Sequence, residues 1–247
     1  DYHPESHWLN VAEIFTHSSN VGSALMAERM GGIRPRAFLS RLGLTGKVSL
    51  ELPEVGAPLV PSASNWSEIT TMTIAYGHGI AVNAVQMASA VAGIINDGVK
   101  VQPTLLKASQ HPSAPNKIVS SRTSQQMRAL MRLVVTHGTA KQADVPGYLV
   151  GGKTGTADKL NGKHYNENAR RASFIGVFPI TSPRYLVMVI LDEPKATAKT
   201  HGYATAGWTT APLVGKVIGQ IGPLLGISPI EPDIALAAEQ KLLKNLG

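Results

Sequence analysis

Two short stretches of this 247-residue chain combine residue types that can take part in chemistry. The first is the triplet Ser18-Ser19-Asn20. A serine hydroxyl can relay a proton, and a carboxamide two residues further on can both donate to and accept from a substrate amide. Serine and asparagine also favour the N-cap of a helix. Taken alone, the triplet is therefore better explained as the cap of a following helix.

The second stretch, 151–157, has the sequence GGKTGTA. If it forms a strand, Thr154 and Thr156 share one face. Two hydroxyls together with the ammonium of Lys153 suit a substrate carboxylate. Gly155 would let a ligand approach the backbone closely. An ordinary strand with glycines at a bulge explains the stretch equally well when it is taken alone.

The same stretch also matches the pattern of a phosphate-binding loop, G-x-x-x-x-G-K-T, because Gly147 precedes Gly152 by five residues. Such a loop lies between a strand and the N-terminus of a helix, where backbone N–H groups surround the phosphates. Residues 148–150 are bulky and strand-forming, and residues 156–162 have no helical pattern. The sequence therefore favours a strand and disfavours nucleotide binding.

The elements on either side of the triplet are predicted to be helical. Apolar residues at three-to-four spacing predict a short helix before His17, a turn, and a second helix that ends at Gly31-Gly32. Further helices are predicted from Pro35 to about residue 44, over 83–96, and from a capping box of Thr123 and Gln126 to residue 135. Residues 46–70 contain several prolines and are predicted to be a loop region.

The periodicity changes near residue 148, where apolar and β-branched residues predict strands over 148–157, 172–178 and 185–191. A loop over 158–171 and a tight turn at 181–184 would join them, and helices are predicted over 212–221 and 234–246. This order predicts an α+β fold, with an antiparallel sheet flanked by helices. We divide it into a mostly helical part, 1–146, and a part, 147–247, that holds the strands and the C-terminal helices.

The composition excludes several classes of protein. With 43% hydrophobic and 16% charged residues, the chain is not largely disordered. It has no cysteine, which excludes disulfides, thiolate metal sites and a cysteine nucleophile. The net charge of +7 is scattered and aromatic residues are 5%, so nucleic-acid binding is disfavoured. No apolar run approaches the ~20 residues of a membrane span. We expect no metal and no cofactor.

Together, the two stretches resemble the motif set of the penicillin-binding transpeptidases, which is S-x-x-K, S-x-N and K-T-G. Residues 73–103, 170–194 and 207–218 also look like the class B penicillin-binding proteins. Residues 1–4 and 11–27 look most like the septal, cell-division branch. The resemblance covers nearly the whole chain. It implies the transpeptidase fold that this family shares with the serine β-lactamases.

One departure from the family pattern is the absence of S-x-x-K, the motif of the nucleophile. None of the lysines has a serine three residues before it, and the nearest cases are Thr104 before Lys107 and Thr156 before Lys159. Without that serine, the chain as given cannot form a covalent acyl-enzyme. Either it is the C-terminal part of a longer transpeptidase, incomplete at the N-terminal side of the domain, or it is a degenerate, non-catalytic relative. A start in mid-loop and two intact motifs favour the first explanation.

The resemblance implies a peptidoglycan D,D-transpeptidase, in which a serine outside this chain attacks the D-Ala-D-Ala end of a stem peptide. Ser18 would relay a proton to the leaving nitrogen and Asn20 would orient the substrate amide. Lys153 would supply positive potential. The substrate carboxylate would be bound by Lys153, Thr154, Gly155 and Thr156. The N–H of Thr156 would form half of an oxyanion hole, and β-lactams would acylate the same serine.

The resemblance further implies a protein at the periplasmic face of the bacterial inner membrane, anchored by an upstream segment absent from this chain. Its partners would be the missing segment with S-x-x-K, a septal glycosyltransferase and divisome proteins, and it would act in cell division and cell shape. Two other functions stay open. One is a β-lactamase-like hydrolase of the same fold, and the other is a sensor or scaffold that binds β-lactam or stem peptide without turnover.

Overall fold

A computed structural model describes residues 1, 4–107, 116–161 and 164–247, with the backbone alone for 160–161 and 164–168. The chain divides into two compact units, Asp1–Ser124 and Gln125–Gly247. Helices lie in the first unit, and the second contains most of the helix Ser121–Thr136, an antiparallel sheet and two further α-helices. This arrangement confirms the predicted α+β class.

The first unit contains five complete α-helices among its described residues: α1 (Val11–His17), α2 (Asn20–Met30), α3 (Ile33–Arg41), α4 (Glu68–Ala75) and α5 (Ala84–Ile95). The predicted pair of helices around residues 18–20 is therefore confirmed. Gly22 lies where α1 and α2 cross, since a Cβ at that position would lie 2.6 Å from Ile14. One hydrophobic cluster in the core of this unit is formed by Leu42, Leu44, Ala90 and Ile118.

The helices differ from the sequence prediction in two respects. Helix α6 (Ser121–Thr136) begins before the predicted capping box, because the hydroxyl of Ser120 accepts from the N–H of Thr123 at 3.0 Å and acts as the cap. Helix α4 was not predicted. Its sequence, EITTMTIA, is rich in β-branched residues, which lower helix propensity. It is started by Ser67, whose side chain accepts from the N–H of Thr70 at 3.1 Å.

The second unit contains a sheet of three antiparallel strands in the order β1 (Gly151–Asn161), β2 (His164–Phe178) and β3 (Tyr185–Asp192). The hairpin between β2 and β3 is confirmed. The loop predicted over 158–171 is wrong, because β1 and β2 continue far into it, and residues 162–163 lie outside the described residues. Because this stretch is polar, it has no hydrophobic pattern that would predict strands. Across the ladder, Asp158 and Arg170 form an ion pair at 3.1 Å.

Two helices complete the second unit, α7 (Thr210–Leu224) and α8 (Pro232–Leu243), close to the predicted positions. Helix α7 packs on β2, where Gly176 leaves room for the side chains of Val214 and Ile218. Phe174 and Phe178 of β2 are fully buried in this layer. Burial of such large apolar side chains is the main force that holds a helix on a sheet. Of the helices that the structure describes, none is both long and apolar enough to cross a bilayer.

Candidate active-site residues

The triplet Ser18-Ser19-Asn20 forms the turn between α1 and α2. Ser18 ends α1 in the left-handed conformation, with φ 60° and ψ 45°, and Asn20 is the first residue of α2. A left-handed residue other than glycine is uncommon and reverses the direction of the chain in a short space. Ser18 and Asn20 are exposed, whereas Ser19 is buried.

Ser19 provides the cap of α2. Its hydroxyl accepts from the N–H of Gly22 at 3.0 Å and donates to the carboxylate of Asp1 at 2.7 Å. The same carboxylate accepts from the N–H of Asn20 at 2.7 Å. A negative charge is favourable at a helix N-terminus, where N–H groups lack partners within the helix. The capping expected of the triplet is thus performed by Ser19, and its long-range partner Asp1 gave no signal in the sequence.

The stretch GGKTG lies within β1, an edge strand of the described sheet. It does not lie between a strand and a helix, so it lacks the geometry of a phosphate-binding loop. The glycines that precede Lys153 have packing roles instead. A Cβ on Gly151 would lie 2.6 Å from Ile180, and one on Gly152 would overlap the ring of Phe174.

The direction of the peptide groups in β1 follows from the ladder. The N–H of Glu193 donates to the carbonyl of Arg170 at 2.7 Å, so even-numbered residues of β2 direct their N–H and C=O groups towards β3. Successive residues of a strand direct their N–H and C=O groups to opposite sides. In an antiparallel pair, two partner residues either exchange backbone hydrogen bonds or both direct these groups away from each other. Phe174 therefore faces away from its partner Thr154. The N–H and C=O groups of Thr154 and Thr156 point outwards, at the edge of β1 that is away from β2.

The ammonium of Lys153 lies at the same edge. Its Nζ donates to the carbonyl oxygen of Thr154 at 3.1 Å, and this carbonyl is one of the outward groups. Burial of the ammonium lowers the pKa of Lys153 from 10.5 to about 8. Lys153 therefore remains mostly a cation at neutral pH. A cation and outward N–H donors at one strand edge are suited to an anionic ligand.

The hydroxyls of Thr154 and Thr156 are each held by a segment outside the sheet. Thr154 Oγ1 lies 2.7 Å from Thr139 Oγ1, and the N–H of Ala206 donates to Thr156 Oγ1 at 3.0 Å. These two segments touch each other, since a Cβ on Gly207 would overlap the carbonyl oxygen of Thr139. Sequence reasoning missed Thr139 and Ala206, because neither belongs to a recognisable chemical pattern.

Gly155 has a contact across the ladder. The hydroxyl of its partner, Ser173, donates to the carbonyl oxygen of Gly155 at 3.3 Å. A Cβ on Gly155 would lie 2.8 Å from that hydroxyl oxygen. This packing is a structural reason for the glycine, beside the predicted approach of a ligand.

The candidate residues fall into two groups. Ser18 and Asn20 belong to the unit Asp1–Ser124, and the residues of GGKTG belong to the unit Gln125–Gly247. The structure brings Lys153, Thr154 and Thr156 together at one strand edge and places Ser18 and Asn20 together on one turn.

Comparisons with known proteins agree with the motifs. Residues 1–216 match the family described as the penicillin binding protein transpeptidase domain. The chain is 38% identical to the probable peptidoglycan D,D-transpeptidase FtsI of Caulobacter vibrioides, over 98% of this chain and 42% of that protein. It is 33% identical to the probable peptidoglycan D,D-transpeptidase PenA of Neisseria meningitidis, over 94% of this chain and 39% of that protein. The chain thus spans about two fifths of the length of these curated relatives.

Solved structures give the same result. The apo transpeptidase domain of penicillin-binding protein 3 from Burkholderia pseudomallei superimposes with a TM-score of 0.83 at 32% identity, over 91% of this chain and 67% of that one. Penicillin-binding protein 3 from Mycobacterium tuberculosis, complexed with aztreonam, superimposes with a TM-score of 0.79 at 29% identity. That match covers 90% of this chain and 53% of the other.

Proposed function

The chain belongs to the penicillin-binding protein transpeptidase family, and we propose that it is part of a peptidoglycan D,D-transpeptidase inhibited by β-lactams. The observation that carries this proposal is the outer edge of β1. There the Lys153 ammonium lies beside the outward peptide groups of Thr154 and Thr156. The edge offers a cation for a carboxylate and an N–H donor for a developing oxyanion. The aztreonam complex of the Mycobacterium tuberculosis neighbour supports the assignment of β-lactams as ligands.

The edge of β1 has two roles in this proposal. Lys153, with the hydroxyls of Thr154 and Thr156, binds the carboxylate of the stem peptide or of a β-lactam, and Gly155 leaves the backbone accessible. The N–H of Thr156 stabilises the oxyanion that forms when the carbonyl carbon becomes tetrahedral. One such donor contributes about 3–4 kcal/mol to lowering the barrier.

The turn that carries Ser18 and Asn20 supplies proton transfer and orientation. When the nucleophilic serine bonds to the carbonyl carbon, the bond from that carbon to the leaving nitrogen breaks, and this nitrogen must receive a proton. The Ser18 hydroxyl can relay that proton, and the Asn20 carboxamide can hold the substrate amide. An amine of a neighbouring stem then attacks the acyl-enzyme, forms the cross-link and releases the serine. Exposure of both side chains on one turn supports these roles.

The nucleophile is proposed to lie outside these 247 residues, since the sequence has no S-x-x-K. The chain would then be the C-terminal part of one transpeptidase domain, with a mostly helical part over 1–146 and the strand part over 147–247. Without the serine and its lysine, the chain alone would be inactive.

The proposed setting is the periplasmic face of the bacterial inner membrane, with an upstream anchor and a role in septal cell-wall synthesis. The similarity to the protein named FtsI supports the septal role. A net charge of +7 is compatible with a surface of anionic lipid and cell wall. Septal glycosyltransferase and divisome proteins would be the partners.

A labelled penicillin tests the proposal on the full-length protein. We expect covalent labelling with slow release, and a strong loss of labelling in Lys153→Ala. Lys159→Ala is the matched control, because Lys159 is a lysine of the same strand outside GGKTG, and its ammonium lies 2.9 Å from Asp192. Rapid release would indicate the β-lactamase-like hydrolase, and no labelling would indicate the sensor or scaffold. Equal labelling of wild type and Lys153→Ala would reject the carboxylate site.

A further inference from the structure

Arg132, on α6, is a buried arginine that none of the proposed chemical steps uses. Arg132 is 5% exposed. Its Nη1 donates to Asp144 at 2.8 Å, and its Nη2 donates to Glu239 on α8 at 2.8 Å. Burial acts to lower the pKa of this guanidinium, but hydrogen bonds and charge from Asp144, and then from Glu239, outweigh it and raise the pKa. A buried guanidinium is tolerated where its donors have such partners.

The same guanidinium holds the backbone at the start of the candidate site. Nη1 also donates to the carbonyl oxygen of Val150 at 2.8 Å, in a buried bond, and Val150 directly precedes β1. A hydrogen bond from a charged donor is stronger than a neutral one. Arg132 thus joins α6, α8 and the entry to the strand that carries Lys153.

The entry segment, 147–150, has a backbone that requires support. Leu149 is buried and left-handed, with φ 46°, which is unusual for a branched residue. Such conformations persist where the surroundings hold them in place. The support consists of hydrogen bonds from Ile180 to the Leu149 carbonyl at 2.9 Å, from Ile230 to the Gly147 carbonyl at 3.0 Å, and from Arg132 to Val150.

Apolar packing does not close the contact between this segment and α8. A groove of about 320 Å³ that is open to solvent lies there, and Arg132, Asp144 and Glu239 line it together with Leu149 and Leu236. Where side chains do not interdigitate, the directional bonds of the guanidinium fix the distance between the two elements.

We propose that Arg132 is a positioning residue, which holds the Val150 carbonyl and thereby sets the position of the Lys153–Thr156 edge, with Glu239 on α8 as its distal anchor. The effect on the strand stands on the geometry of this chain alone. The consequence for acylation rests on the proposed function. Loss of the guanidinium lets the entry segment relax, which moves the edge and admits water around Lys153.

The first test uses NMR of the full-length protein and of its variants Arg132→Met and Arg132→Lys. In Arg132→Met, we expect displaced amide signals over 151–156 and a titration midpoint of Lys153 that moves from about 8 towards 10.5. Arg132→Lys restores the positive charge without the planar guanidinium. Its amide signals and its Lys153 midpoint should therefore lie between those of Arg132→Met and wild type. Arg171→Met is the control, since Arg171 makes an exposed contact to Asp192 at 3.4 Å, and its spectra should match wild type at the Lys153 edge.

The result that would overturn the proposal is a lower Tm in Arg132→Met with unchanged signals over 151–156 and an unchanged Lys153 midpoint. That outcome would leave the arginine with a purely structural role. If Arg132→Met does not fold, Glu239→Gln decides the question, because it removes the charge of the distal anchor and leaves the pair with Asp144 intact. It should give smaller displacements of the same signals, and their absence would equally reject the proposal.

The second test measures acylation of the full-length protein by a labelled penicillin. Arg132→Lys should lower the second-order acylation rate roughly ten- to a hundredfold, because small misplacements of binding groups have effects of this size. The release rate should be unchanged. An unaltered acylation rate would contradict a positioning role. If wild type fails to label, the proposed function fails, while the NMR experiment still decides whether Arg132 positions the edge.

Discussion

Lys153 combines two properties that an ordinary surface lysine lacks. Its ammonium is partly buried, which lowers its pKa from 10.5 to about 8, and it lies at a strand edge beside outward peptide groups. The residue type and the spacing to Thr154 and Thr156 could be predicted from the sequence. The burial could not, because it depends on tertiary packing and has no local signal in the sequence.

The charge of Lys153 predicts a pH dependence of acylation. Since the protonated form attracts the ligand carboxylate, acylation by a carboxylate-bearing penicillin should decline as the pH rises through about 8. A pH profile of the second-order rate constant of the full-length protein measures this. Lys153→Arg is the control, because arginine stays charged over this range and the alkaline decline should disappear. A decline that persists in Lys153→Arg would contradict the prediction.

The same pKa predicts a pH dependence of stability. Between about pH 8 and 10.5 the unfolded chain binds more protons at Lys153 than the folded chain, so the free energy of unfolding should rise with pH in this window. After a reduction for partial exposure, the rise amounts to about 2 kcal/mol. Urea denaturation of wild type and Lys153→Met at pH 7.5 and about 10.5 tests it. If the free energy of unfolding changes equally with pH in wild type and Lys153→Met, the result would be evidence against a buried ammonium.

Ser18 and Ser19 should separate function from stability. Ser19→Ala removes the cap of α2 and should lower the free energy of unfolding by about 1 kcal/mol, with little effect on labelling. Ser18→Ala should slow acylation of the full-length protein and change stability little. Urea denaturation and penicillin labelling of both variants measure these effects. Slower labelling in Ser19→Ala with a loss of stability in Ser18→Ala would contradict the assignment of the proton relay to Ser18.

At the scale of elements, the sequence predicted the helix pair around Ser18 and the strand that holds Lys153, because hydrophobic periodicity and caps are local signals. It did not predict the long β1–β2 hairpin, whose ends are polar, or α4, whose composition favours strands. It also could not predict the Arg132 cluster, since Glu239 is 107 residues away in sequence. Helices and strands with a local sequence pattern were predictable, whereas the contacts between distant residues that hold them in place were not.

The glycines of β1 offer a test at this scale. Gly152→Ala should destabilise the second unit by about 2 kcal/mol, because the added methyl group overlaps the ring of Phe174 and the carbonyl of Ile175. Gly46→Ala is the control, since no atom lies within 4 Å of its Cβ position. Urea denaturation of both variants measures the difference. Equal stabilities would show that β1 does not pack against β2 as described.

At the scale of the whole molecule, the chain matches a transpeptidase family over residues 1–216 and spans about two fifths of its curated relatives. Two of the three family motifs are present, and the structure describes each within its own unit. The missing S-x-x-K could be recognised from the sequence alone. The fold class was predictable for the same reason, since the order of helices and strands is a property of the whole pattern.

Mass-spectrometric mapping of the penicillin adduct on the full-length protein tests the central claim most directly. The proposed transpeptidase requires a single covalent adduct on a serine of an S-x-x-K motif outside these 247 residues, and no adduct on the 247-residue chain alone. An adduct on any residue of this chain, or no adduct on the full-length protein, would contradict it.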